Sequence, residues 1–352
     1  MIQFRRFLTR TLLLLSLSGW MVNSGSALNI VLNPNTTLAS DTQALAAFER
    51  ASLQWESAVV DDVTVYIDAG LASLSAGVLG SAGSVSLAAS YDIITAAMIA
   101  DESTEYGPQL TAMSHLPADM TFITPAGITT SDSVRGTKAN LKALGFAGLD
   151  TVFGQNDATI TFSTNFTFDY DNSDGVGAGS FDLETIAAHE IGHALGFVST
   201  VDTVDFLSNQ GASGVVTPSI LDLFRFDDLT GNPDSYGDFG TFSRSLMPGG
   251  DPYFDVLTTE IGFSSGSFTG DGRQASHWED GLGIGLMDPT LSPGEITLIS
   301  DFDLTAFDAI GWELAQVPDS ASTAWLFGGM MPVLLYARRR RARESIRRQP
   351  IS

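Results

Sequence analysis

Residues 185–197 read Thr-Ile-Ala-Ala-His-Glu-Ile-Gly-His-Ala-Leu-Gly-Phe, and the rest of the chain is read outward from them. Inside lies H-E-x-x-H, made by His189, Glu190 and His193. On an α-helix, residues four apart share a face, so both imidazoles can reach one metal ion. Glu190 falls on the neighbouring face, where its carboxylate can hold a water beside that ion. Two neutral imidazole ligands, a carboxylate base and an open position for water are the parts of a zinc hydrolase site. The bland alternative is an amphipathic helix with its histidines satisfied in a core. With four histidines in 352 residues, a chance H-E-x-x-H is expected in well under ~1% of such chains. The flanks also suit a helix. Asp182 is an N-cap candidate and Glu184 favours the first turn. Ile186, Ala187, Leu195 and Phe197 supply apolar faces. Gly196 stands where a left-handed cap would end the helix.

A catalytic zinc takes three protein ligands and one water. Near the motif, Ser199 is a poor ligand, whereas Asp202 has suitable chemistry. A more distant candidate is His277, in Ala275-Ser276-His277-Trp278-Glu279, and imidazole is the better ligand. Gly285-Leu286-Met287-Asp288-Pro289 follows soon after. The fourth histidine, His115, has no partner at ligand spacing and reads as structural or exposed.

H-E-x-x-H-x-x-G-F, a long insertion, Ser-His-Trp and then a methionine turn together resemble the leishmanolysin-like branch of the metzincin metalloproteases. The similarity covers about residues 180–312 well and the N-terminal part only loosely. The resemblance implies zinc held by His189, His193 and His277, with Glu190 as base. It implies Met287 as the turn methionine, a hydrophobic floor beneath the metal. It also implies an α+β catalytic domain: a twisted mixed sheet, an active-site helix and a loop-rich C-terminal subdomain. In that family an edge strand before the active-site helix aligns an extended protein or peptide substrate. Residues 159–168, which alternate Ile160, Phe162 and Phe166 with polar residues, are the candidate strand. In one respect the chain departs from the pattern. Leishmanolysin relatives are usually rich in disulfides, and this chain has no cysteine. That points to secreted bacterial metzincins sharing only the zinc layout.

The two ends read as addresses. Residues 1–27 carry Arg5, Arg6 and Arg10, an apolar run, and small residues before Leu28, the pattern of a secretory signal peptide. Residues 317–343 open with Val-Pro-Asp-Ser-Ala-Ser-Thr, continue with a short apolar run and close on Arg338, Arg339, Arg340, Arg341 and Arg343. A span followed by a basic cluster is a stop-transfer pattern. This arrangement resembles the PEP-CTERM-type sorting tails of Gram-negative bacteria, nearest the VPDSG variant, with Ala321 in place of its glycine. It implies handling by an exosortase-type enzyme, or otherwise a single membrane anchor. Residues 344–352 form the remaining tail. Both readings place the body, residues 28–316, outside the cytoplasm, at the surface or beyond it.

Of 17 basic residues, three lie in the signal segment and seven from Arg338 onward. The body keeps seven: Arg50, Arg135, Lys138, Lys142, Arg225, Arg244 and Arg273. Of 41 acidic residues only Glu344 lies beyond Arg338, so the body is strongly acidic. That excludes nucleic-acid binding through a basic face. Without cysteine, no disulfide staples the domain and no thiolate can occupy the zinc.

Residues 28–33 alternate like a first strand, residues 42–58 show helical spacing behind a possible Asp41 cap, and residues 63–68 read as a strand. The Gly-, Ala- and Ser-rich residues 69–90 read as an insertion or loops. Residues 91–100 and 137–144 look helical. Asp169, Asp171 and Asp174 lie in a glycine-rich loop that suits Ca²⁺ or is simply an acidic turn; Asp174 stands where an EF-hand requires glycine. Residues 203–274 form the long insertion, expected to shape specificity. Residues 301–312 read as a C-terminal packing helix. The functional expectation is a secreted zinc endopeptidase. A non-catalytic surface or matrix protein on a protease-like scaffold, and a hydrolase of non-protein amides, are the alternatives.

Overall fold

A computed structural model describes residues 27–102 and 112–315. The signal segment, Ala27 excepted, and the sorting tail from residue 317 lie outside the described residues. Among the described residues no helix is long and apolar enough to cross a membrane.

The elements that build the site follow in chain order: β1 (Asn29–Pro34), α1 (Thr42–Ala58), β2 (Thr64–Ala72), β3 (Gly80–Ser84), β4 (Ser86–Ser90) and α2 (Tyr91–Glu102). After these come β5 (Ser133–Thr137), β6 (Ala158–Ser163), α3 (Leu183–Leu195), α4 (Val201–Asn209) and α5 (Asp301–Ala309). Helices and a mixed sheet share one core, in keeping with an α+β class. The main sheet runs β1-β2-β6-β3. Its first three strands are parallel, and β3 lies antiparallel on β6.

The helix α1 starts where the Asp41 carboxylate accepts the Ala44 N–H. Its buried Ala44, Ala47, Phe48, Ala51 and Trp55 form one stripe. That stripe sits between sheet and α3. Phe48 meets Phe162 of β6 edge-on at 5.1 Å. The Trp55 indole donates to the Ala188 carbonyl of α3 at 2.8 Å. Every residue of α3 is buried except His189 and His193, which are half-buried and face a cleft. A helix apolar on almost every side belongs at the centre of a domain.

Two expectations about the sheet are corrected. Residues 69–90 are loop only over 73–79: the rest finish β2 and form β3 and β4. Gly-Ser-Ala-Gly-Ser lacks the branched and aromatic residues that mark strands in sequence. The edge strand is also not within residues 159–168. β6 is flanked by β2 on one side and β3 on the other, so β3 is the edge. The strand's smallness has a steric reason. A Cβ on Gly80 would stand 2.8 Å from Glu190 Oε1 and 3.0 Å from Ile186 Cγ2, so only glycine lets this strand lie on α3.

The orientation of β3 follows from its hydrogen bonds. Ser163 N–H donates to the Leu79 carbonyl, and Val85 N–H to that of Asp157, so odd-numbered residues bond to β6. The backbone groups of Gly80, Ala82 and Ser84 therefore face the free edge.

The insertion is loop-rich, as expected. It holds α4, a three-stranded patch (Arg225–Phe226, Tyr253–Asp255, Glu260–Gly262) and two fully buried arginines, Arg225 and Arg244. The terminal helix α5 begins in a capping box of Ser300 and Asp303.

Candidate metal centre

The carboxylate of Asp182 accepts the Thr185 N–H and starts α3. Gly196, at φ +131°, ends it, and its N–H bonds back to the Gly192 and His193 carbonyls. A Cβ on Gly196 would lie 3.0 Å from Ile310 Cδ1 and 3.1 Å from Asn140 Cβ, so glycine also meets a packing demand. The Trp312 indole donates to the Leu195 carbonyl, satisfying one of the helix's last acceptors.

The fold brings His277 to the two helical histidines. The three Nε2 atoms form a triangle with sides of 3.1 Å. Each Nδ1 meets a backbone carbonyl: Leu286 at 2.7 Å for His189, Phe197 at 2.7 Å for His193, and Gln274 at 3.1 Å for His277. Only a protonated Nδ1 can donate to a carbonyl, so each Nε2 carries a lone pair. Three lone pairs then point at one another with no proton between them, an arrangement that calls for a cation. Tetrahedral zinc with ligands at ~2.0–2.1 Å separates them by roughly 3.3–3.4 Å, close to the observed triangle. Among the described residues these three histidines form the group that can hold a metal ion.

Burial lowers the pKa of all three rings, His193 to about 3 and His277 well below its ordinary value, with mutual repulsion adding to the effect for these two. Neutral imidazoles are the metal-binding form. Burial pushes Glu190 up to about 8, and a backbone hydrogen bond from Ala82 opposes that shift. Glu190 thus lies between the histidines and the free edge of β3.

Asp202 lies outside the triangle. Its carboxylate accepts the Ala275 N–H at 2.6 Å and the Ser276 hydroxyl, and so fixes the segment carrying His277. Met287 is fully buried beneath α3. A Cβ on Gly192 would stand 2.5 Å from its Sδ, which explains glycine two residues after Glu190, directly before His193. In the acidic loop, Asp169 accepts the Asp171 and Gly177 N–H groups, and Asp171 accepts that of Ser173. Asp174 sits in the short helical turn Asn172–Asp174. The carboxylates of Asp169 and Asp171 thus bond within their own loop. His115 stacks on Tyr236 at 4.0 Å, away from the triangle.

Sequence reasoning missed Asp303. It is fully buried, and it accepts from the Trp278 indole, the N–H groups of Leu286, Met287 and Ser300, and the Ser300 hydroxyl. One residue therefore ties α5 to the methionine turn and to the neighbour of His277. In sequence it stood only as one residue of the C-terminal packing helix over residues 301–312.

The histidines, Glu190 and the free edge of β3 line one cleft of about 840 Å³. Its lining includes Leu291, the pair Phe166 and Phe181, which meet edge-on at 5.5 Å where the chain enters α3, and, past the end of α3, Val198 and Arg135, whose side chain bonds Thr200. Comparison with known proteins finds no matching family model, curated protein or solved structure.

Proposed function

We propose that this protein is a zinc-dependent endopeptidase of metzincin type, exported through its N-terminal segment and sorted or anchored through its C-terminal one. The observation that carries the reading is the triangle of neutral Nε2 atoms beside Glu190, opposite an unpaired strand edge. A zinc ion held by three imidazoles polarises a carbonyl and acidifies water. The chain's own groups do the rest. Gly80 and Ser84, with the carbonyl of Ala82, offer backbone donors and acceptors to an extended peptide, while the Ala82 N–H is held by Glu190. Glu190, as carboxylate, takes the proton of the water that attacks the scissile carbonyl. It then delivers that proton to the amide nitrogen as the C–N bond breaks. A positive charge in the triangle lowers the Glu190 pKa and so favours the form that accepts the proton.

The test is casein hydrolysis by the purified protein with and without a chelator, beside Glu190→Gln and His277→Ala. Glu190→Gln is expected to retain zinc and lose about 10²–10⁴-fold in turnover. His277→Ala is expected to lose both zinc and turnover. Full activity in Glu190→Gln, or in chelated wild type, would defeat the proposal.

A further inference from the structure

The body of this chain has few cations, and the structure shows how nearly all are used. Arg50 pairs with Glu184 at 2.7 Å, and Arg273 with Asp280 at 2.9 Å. Lys138 and Lys142 share Asp150 and Asp157. Arg225 donates to the Ser264 carbonyl at 3.0 Å, with its guanidinium 4.8 Å from the Phe263 ring. Arg244 donates to the Leu223, Phe242 and Phe239 carbonyls between the rings of Phe226 and Phe239.

Arg135 is different. It is half-buried in the cleft, and among the described residues no carboxylate lies within ion-pair distance of it. Its backbone is pinned, the N–H to the Pro218 carbonyl and its own carbonyl to the Ile220 N–H. Its Nε donates to Thr200 Oγ1 at 3.1 Å, and that hydroxyl donates onward to the Thr217 carbonyl at 2.8 Å. The guanidinium is thus held by its inner nitrogen, while the described residues give its two terminal nitrogens no acceptor. Those nitrogens form the fork that binds a carboxylate through two parallel hydrogen bonds. In so acidic a body, a held but unpaired guanidinium in a cleft is a site for a negative charge supplied from outside.

We propose that Arg135 is a specificity-determining residue that receives a carboxylate of the substrate, an Asp or Glu side chain on one side of the scissile bond, while Phe166, Phe181 and Leu291 receive an apolar side chain on the other. This rests on the peptidase reading. Along the free edge of β3, Gly80 lies against Ile186 and Glu190, and the chain then passes through β4, whose Ala88 pairs with Arg135. An extended peptide on that edge runs past Glu190 between the two ends.

The experiment profiles the cleavage of a mixed peptide library by the full chain. It then compares matched peptides carrying Glu or Gln at the selected position, for wild type, Arg135→Gln, Arg135→Lys and Arg135→Glu, each checked for folding by thermal melting. A charge-assisted pair predicts a Glu-over-Gln ratio in kcat/KM of about 10- to 100-fold for wild type. That ratio falls towards one in Arg135→Gln, is partly kept in Arg135→Lys, and turns to favour a Lys peptide in Arg135→Glu. Cleavage without acidic preference, or a preference that survives Arg135→Gln, overturns the role of Arg135 and leaves the peptidase reading standing. If no library peptide is cleaved, that reading fails instead, and Arg135 is judged by direct binding. Tighter binding of the Glu than of the Gln peptide, lost in Arg135→Gln, supports it; equal binding overturns it.

Discussion

Asp303 shows how one side chain can govern a site it never enters. Its oxygens accept from five donors, among them the Leu286 N–H, and the carbonyl of that same Leu286 holds the Nδ1 of His189. Burial raises its pKa, and the donors pull it back. In Asp303→Asn an NH₂ group would face N–H donors where an oxygen now accepts them. Unsatisfied buried donors cost ~1–3 kcal/mol each. A loss of about 2–4 kcal/mol is therefore expected in urea unfolding, with weaker zinc retention in a chelator titration. Unchanged retention would show that the methionine turn does not position the ligands. At this scale the sequence was uneven. His189, Glu190 and His193 were legible because helical spacing is local. His277 was legible because imidazole is the better zinc ligand and because Ser-His-Trp followed by a methionine turn resembles a known zinc layout. Asp303 and Arg135 were not, since their roles depend on partners brought together only by the fold.

The element whose role was hardest to see is β3. Three of its five residues are Gly or Ala and none is branched or aromatic, so propensity argues against a strand. The same smallness lets it lie on α3 beside Glu190. The more convincing strand signal, read over residues 159–168, marks β6 (158–163), a strand buried between two neighbours, where alternation reports packing against α1 and not access to a ligand. Ser84→Pro separates the two roles of β3. It removes an N–H from the free edge and leaves the odd-numbered bonds to β6 in place. Melting is expected to change little, while kcat/KM for peptides falls about 10-fold, as for one lost hydrogen bond. A large drop in melting temperature with turnover kept would assign β3 a purely structural role.

Among the described residues, stability comes from one large core and a small second cluster around Val201 and Val204, without disulfides. Acids are buried where the chain's end packs on α1 and α2. Burial, aided by neighbouring carboxylates, raises Asp61 to about 8, Asp101 to about 7 and Asp308 to about 7. A carboxyl whose folded pKa lies above its unfolded value stabilises the fold at low pH, and that contribution is lost as pH rises through the folded value. The melting temperature is therefore expected to fall between about pH 5 and about pH 9. Asp61→Asn, which cannot ionise, should flatten the slope. A melting temperature that rises over this range would contradict the assignment.

The wide spacing of the ligands has a consequence for synthesis. His189 and His193 lie on α3, His277 stands 84 positions after His193, and the anchor of the methionine turn lies later still, in α5. A ribosome-bound chain that has just completed α3 carries two imidazoles and no triangle. The triangle can close only once the insertion has brought His277 back to α3. Chains cut short before His277 lack the triangle altogether.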